Sequence, residues 1–562
     1  MRALPLVLGV WLATGGFSRA AEFSRLPRPA DLSFLSMAPS AAMAAPILSV
    51  PLTLAAQAPS QWPGLSAGPA SSAISRGLAA PARPAGTSRG RARTETAAAR
   101  ARRLFDGSGI SGSWVEEMLA QAPPGPAQRR LADDVQRLGF KPVATNRAIL
   151  QAHNERYTLE LPQGTITDQK QSGRCWIFAG LNMIRSMMLE GPNTPRDLEL
   201  SENYLHFFNM LEKAKDHLDE AAELAYGAGR KRRGRRRALA PEIDDGGFYE
   251  YFAFLVSKYG LVPKSAMGET ISSQATATLI GELETSLAQT TTELLADARR
   301  GARASGRRAL IMERGMRRVW RILATHLGAP PRRFSYRQDR ADKKLVKGVK
   351  RTRSKLTSMT PRRFASKIAR FDPADYVVVA SYPGKRLDTV YEIPDSAIGA
   401  ARRGRPSFDL RFLNVSPQTM RRQAAEAIRG GQAVWFAADI GQDVDHASGI
   451  MHPELFDRDG VYNFPAGERS KPLSRRQRAY YHLIGPSHAM LLTGLDEPEA
   501  GKLVKFKVEN SWGDKYGSRG VYHLYPPWFD QYVFEIVVHR RFLSRAQQRL
   551  WDGKARRARG KL

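Results

Sequence analysis

Along most of the chain, apolar positions recur with the periods of regular secondary structure. From about residue 104 to about residue 548 the pattern is that of a folded domain, with no internal repeat. Residues 277–300 carry apolar side chains at i, i+3, i+4 and i+7, which predicts a long amphipathic helix within a polar, helical insertion spanning about 272–369. A second helix-period run, Ile177, Phe178, Leu181, Ile184 and Met188, begins just after Gly173. Short β-rich runs come later: Tyr376-Val377-Val378-Val379-Ala380, Ala433-Val434-Trp435-Phe436-Ala437 and Lys505-Phe506-Lys507-Val508. Helices early and in the middle with strands late predict an α+β fold.

The first hundred residues read differently. Met1-Arg2, an apolar run over residues 3–16 and then Phe17-Ser18-Arg19-Ala20-Ala21 have the three parts of a secretory signal peptide, with cleavage after Ala20 or Ala21. Residues 1–20 are therefore expected to direct export to the periplasm or the medium. Residues 21–103, rich in Ala, Pro, Ser and Gly, offer little to bury and read as a linker or pro-segment. Pro46 and Pro51 interrupt the one further apolar run there, and no uninterrupted run reaches the ~20 residues of a membrane span.

At 562 residues and 42% hydrophobic content, the chain is long enough for a large core. Its 86 Lys+Arg outnumber its 54 Asp+Glu, a formal charge of +32 that favours acidic partners without naming one. Two arginine-rich blocks, residues 230–237 and 554–561, are flanked by small residues and read as a solvated loop and a frayed, basic C-terminal tail over 549–562. Neither block interleaves aromatics, and no zinc-finger, RNP or helix-turn-helix pattern accompanies them. A nucleic-acid-binding or otherwise non-catalytic basic protein nonetheless stands as the alternative to an enzyme.

One cysteine among 562 residues excludes an intramolecular disulfide and any cysteine-based zinc knuckle. It lies in Asp168-Gln169-Lys170-Gln171-Ser172-Gly173-Arg174-Cys175-Trp176, where the glycine permits a tight turn into the helix-period run. Cys175 is thus expected at a helix N-terminus, where free N–H groups and the helix dipole lower a thiol's pKa into the range ~3.5–7.5. A buried structural cysteine is the other reading of the same position. A nucleophilic thiol needs a base and the base an orienting group. His488, after the turn Gly485-Pro486 and ahead of an apolar run, fits the first role, and Asn510 in Val508-Glu509-Asn510-Ser511-Trp512-Gly513 fits the second. Trp512 would shield their hydrogen bond from water. Gln169, six residues before the cysteine, and the N–H of Cys175 are candidate oxyanion donors. This chemistry calls for no metal and no organic cofactor.

With these residues in place, the sequence resembles the papain-like cysteine peptidases (peptidase C1-like), and within them the bleomycin hydrolase / aminopeptidase C family. The Gly173-Arg174-Cys175-Trp176 string is closer to that family than to a generic papain motif. Leu200-Ser201-Glu202-Asn203-Tyr204-Leu205, Asp244-Asp245-Gly246-Gly247-Phe248 and Trp528-Phe529-Asp530-Gln531-Tyr532-Val533-Phe534-Glu535 follow in the family's order. The resemblance implies a papain-like two-lobed fold with a helical insertion, and Cys175, His488, Asn510 and Gln169 as the catalytic set. It also implies peptide substrates trimmed from the N-terminus, a homohexamer, and a C-terminal arm whose carboxylate holds the substrate's amino group. Two features depart from the family. Its members are typically intracellular, and their arm does not end in a basic run such as residues 554–561.

Overall fold

The structure, a computed structural model, describes residues 110, 112–120, 125–191, 194–195, 197–227, 239–300, 305–341, 352–393, 410–464 and 471–557. The expected signal peptide (1–20), the linker (21–103) and the arginine block at 230–237 lie outside them, as does the chain beyond residue 557. The chain divides into two units, Met1–Ala120 and Gln121–Leu562. In the first, the described part is essentially one helix, Gly112–Ala120, with Val115 and Leu119 exposed.

In the second unit, helix α1 (Cys175–Leu189) runs through the core. Every residue from Trp176 to Leu189 except Met187 is buried, as expected of a helix apolar on all sides. Helix α2 (Glu202–Tyr226) starts at Ser201, whose hydroxyl accepts the Tyr204 N–H at 3.0 Å and so satisfies an orphan donor of the first turn. Helix α3 (Tyr249–Tyr259) packs on α1 and α2. Phe252 lies so close to Gly180 of α1 that a Cβ there would sit 2.6 Å from the ring.

Within the expected insertion, α4 (Ala277–Arg299) and α5 (Ser305–Leu327) pair along Leu279, Leu283 and Leu287 on one side and Val319, Leu323 and Leu327 on the other. The insertion is not helical throughout. After β1 (Leu159–Glu160), the next strands are β2 (Phe334–Ala341) and β3 (Thr352–Met359), an antiparallel hairpin inside the range read as helical. Its described side chains alternate near the Phe334 end. Buried Phe334 and Tyr336 alternate with exposed Ser335 and Arg337, and both rings pack edge-on against Phe364.

The remaining strands are β4 (Tyr376–Ala380), β5 (Thr389–Ile393), β6 (Leu410–Asn414), β7 (Val434–Ala438), β8 (Val444–Asp445), β9 (Ile450–Met451), β10 (His488–Asp496), β11 (Lys505–Glu509), β12 (Val521–Leu524), β13 (Val533–His539) and β14 (Arg556–Arg557). Among the described residues they form one sheet in the order β14-β5-β6-β4-β13-β7-β10-β11-β12-β9-β8, with β1 paired to β10. Helix α6 (Pro417–Arg429), capped by Ser416, packs its Met420, Ala424 and Ile428 side on β13, β10 and β7. All nine residues of β10 are buried, so its register is strongly specified. The early segment 126–157 leans on the sheet's far side, with Phe140, Val143 and Ile149 against Ile450, Leu455 and Phe456.

The described part of the C-terminal tail is not a frayed end. Helix α7 (Arg545–Asp552) leads to β14, which pairs in parallel with Tyr391 and Glu392 of β5. Arg411 clamps the turn between them, donating to the Trp551 carbonyl at 2.5 Å with its guanidinium over the indole.

Candidate active site

The first turn of α1 meets the start of β10, and two loops converge there. Residues 167–169 run antiparallel to 511–513: the Gln169 N–H donates to the Ser511 carbonyl at 2.8 Å and the Gly513 N–H to the Thr167 carbonyl at 3.0 Å. Lys170 takes a left-handed conformation (φ 53°), supported by its N–H donating to Asp168 Oδ1 at 2.8 Å and by a 2.5 Å ion pair between the same two residues. The chain then reaches Gly173, whose N–H donates to Asp245 Oδ2 at 2.7 Å. A Cβ here would come 2.3 Å from Asp245 Oδ1, so the close approach of the Asp245 carboxylate to the backbone requires the glycine. Asp245 also accepts the Thr276 hydroxyl at 2.6 Å, and its carbonyl accepts the Trp176 indole N–H at 2.9 Å. Arg174, wholly buried, grips Glu269 through both terminal nitrogens at 3.1 and 2.8 Å and lies over Phe178. The turn entering α1 is thereby fixed on both sides.

The four residues read from the sequence come together at this point. Cys175 is the first residue of α1; its thiol points to the Gly173 carbonyl at 4.0 Å, and the N–H groups of Ala489 and Trp176 favour its anion. His488 is the first residue of β10 and is buried. Its Nε2 lies 2.8 Å from Oδ1 of Asn510, the residue just after β11. That oxygen also accepts the Ser511 N–H at 2.8 Å, so it is an acceptor and His488 Nε2 the donor, which leaves Nδ1 as the basic nitrogen. The Trp512 ring covers the histidine at a centroid distance of 4.7 Å. Gln169 is held at both ends of its amide. Oε1 accepts the Ser511 hydroxyl at 2.7 Å and Nε2 donates to the Ser172 carbonyl at 2.6 Å, with one amide hydrogen to spare.

The electrostatics depart from the expected activated thiolate. Desolvation pushes the Cys175 thiol up to about 11, outweighing the N–H groups that favour the anion, and nearby Asp245 adds to the rise. Burial likewise takes His488 down to about 4, against the pull of Asn510. Both shifts favour the neutral forms. A helix start stabilises an anion only while water or a counter-charge supports it, and here the half-buried thiol is crowded by its own first turn, Asp245 and β10.

Several functional contacts carried no role in the sequence. Asp245 stood in a recognisable Asp-Asp-Gly-Gly string, but its task depends on a partner 72 positions away. Ser511 orients both Gln169 and Asn510. Among the described residues, no group of three or more His, Cys, Asp or Glu is placed to hold a metal ion, and no helix is long and apolar enough to cross a membrane.

Comparison with known proteins agrees with this architecture. The Peptidase C1-like family model matches residues 109–557. The chain is 30% identical over 389 residues to Aminopeptidase C of Listeria monocytogenes, covering 69% of this chain and 83% of that protein. It is 30% identical over 440 residues to Aminopeptidase G of Lactobacillus delbrueckii subsp. lactis (78% and 94%). It is 31% identical over 379 residues to the mitochondrial cysteine proteinase 1 of Saccharomyces cerevisiae (66% and 74%). The solved structure of PepW from Lactobacillus rhamnosis superposes with a TM-score of 0.69 at 29% identity, covering 79% of this chain and 95% of that one. The chain belongs to the Peptidase C1-like family of cysteine peptidases and has its papain-like α+β fold.

Proposed function

We propose that the chain is a cysteine aminopeptidase of the bleomycin hydrolase type, acting through Cys175, His488, Asn510 and Gln169. The observation that carries this reading is the bond between His488 Nε2 and Asn510 Oδ1, made at the start of a strand that packs against the helix headed by Cys175. It leaves Nδ1 as the only basic ring nitrogen. The aminopeptidase names of the relatives support the exopeptidase mode.

In this mechanism the substrate carbonyl enters beside Cys175. As the S–C bond forms, the thiol proton passes to His488 Nδ1, and the carbonyl oxygen becomes an oxyanion. The Cys175 N–H and the spare amide hydrogen of Gln169 donate to that oxygen. The imidazolium, oriented by Asn510, gives its proton to the departing amine as the C–N bond breaks, leaving a thioester. Water, deprotonated by the same nitrogen, hydrolyses the thioester and restores the thiol.

The test is digestion of a long peptide by the intact protein and by Cys175→Ala, followed by mass spectrometry. Stepwise loss of N-terminal residues that disappears in the variant supports the proposal. Equal digestion by both proteins refutes it.

A further inference from the structure

The turn that delivers Cys175 is held by a chain of bonds that starts outside the site. Its first member is Glu269, 95 positions from Arg174 and just before the helical insertion. There the Gln171 N–H donates to the Gln274 carbonyl at 2.9 Å, so the segment after Glu269 lies along the turn. Both Glu269 oxygens accept terminal nitrogens of Arg174, and Oε2 also accepts the Ser273 hydroxyl at 2.6 Å. Burial opposes the charge on Glu269, yet Arg174 and Ser273 hold its carboxyl below the usual range, so the ion pair is intact at neutral pH.

The guanidinium has one more N–H to place. Its Nε donates to the Ser172 hydroxyl at 3.0 Å, and that hydroxyl donates to the Gln169 main-chain carbonyl at 2.6 Å. The Ser172 carbonyl in turn accepts Gln169 Nε2 at 2.6 Å. A carbonyl only accepts, so the nitrogen end of the Gln169 amide is the end that faces Ser172. One residue therefore holds Gln169 twice, by its backbone and by its side chain. Arg174 is wholly buried and acts on a substrate only through these neighbours.

We propose that Arg174 and Ser172 are positioning residues for the oxyanion donor: Glu269 fixes the guanidinium, its Nε fixes the Ser172 hydroxyl, and Ser172 aims the spare amide hydrogen of Gln169. The proposal rests on the peptidase reading of the same site. An oxyanion donor works by being in place before charge develops, so loosening this turn weakens transition-state stabilisation and leaves the reactivity of the thiol itself unaltered.

Two variants break the chain. Ser172→Ala removes one half-buried oxygen, and Arg174→Lys keeps a charge for Glu269 but has no Nε. Each is assayed for kcat/KM on an aminoacyl coumarylamide and for alkylation of Cys175 by iodoacetamide, which reacts at a saturated carbon and forms no oxyanion. Loss of a whole oxyanion donor costs about 10²–10³-fold, so misaiming one should lower kcat/KM about tenfold in each variant. The alkylation rate should stay within about twofold of the intact protein's. In a Gln169→Ala background, Ser172→Ala should cost nothing further, because the donor it aims is gone. Where Arg174→Lys does not fold, Ser172→Ala and this cycle carry the test. Unchanged kcat/KM, alkylation that falls in step with it, or full additivity with Gln169→Ala overturns the positioning role while the peptidase stands. An intact protein that hydrolyses no aminoacyl substrate overturns both.

Discussion

Replacing Arg185 with methionine should destabilise the peptidase unit and disturb its site from a distance. Arg185 and Glu509 form an ion pair at 3.0 Å with both side chains 2% exposed, joining α1 to the last residue of β11. The next residue is Asn510. The same guanidinium donates to the Thr165 carbonyl at 2.9 Å, yet its Nε and Nη1 have no partner, so the pair is incompletely satisfied. Burial lifts the Glu509 carboxyl to about 7 even against the opposing pull of Arg185. Removing one member of such a pair leaves an unpaired buried charge, at a cost of about 3–5 kcal/mol. With ~2.1 cal/mol/K of unfolding entropy per residue over a unit of roughly 440 residues, this lowers Tm by about 3–6 °C. Differential scanning calorimetry reads the shift. The double replacement Arg185→Met with Glu509→Leu should recover most of it, because a well-packed apolar pair is often neutral or better. A single replacement that moves Tm by less than ~1 °C, or a double no better than the single, would refute the reasoning.

Three further outcomes are expected. His488→Ala should lower kcat on the order of 10²–10⁴-fold, whereas Asn510→Ala, which orients rather than transfers the proton, should lower it roughly 10- to 100-fold; both are read by steady-state kinetics. Alkylation of Cys175 by iodoacetamide should be slower than that of a free thiol at pH 7 and should climb with pH toward 11, and a fast plateau below pH 6 would show a preformed thiolate instead. Gly173→Ala should displace Asp245 and cost about 1–3 kcal/mol, measured by urea unfolding, with a parallel loss of activity.

The residues proposed as catalytic were legible because each sits in a short string whose chemistry is local. A turn glycine, a cysteine and a helix-period run announce a helix start, and Gly485-Pro486 and Asn510-Ser511-Trp512 punctuate strand ends. The run from 277 to 300 was legible for the same reason, since its leucines recur at helical spacing. The hairpin β2–β3 was not. Its strands carry Arg, Lys, Ser and Thr on both sides over most of their length, and what anchors it is a distant ring, Phe364. The protonation state of Cys175 also escaped the sequence, because the helix terminus is a local property but burial under β10 is a tertiary one.

The central claim is that Cys175 and His488 work as a nucleophile and base on peptide bonds. The most direct measurement is mass spectrometry of the intact protein quenched in acid during turnover of a slowly hydrolysed peptide ester. The account gives a covalent adduct of acyl mass on Cys175, which is absent in His488→Ala and clears as the thioester is hydrolysed. Turnover with no adduct on Cys175, or undiminished turnover in Cys175→Ala, would contradict it.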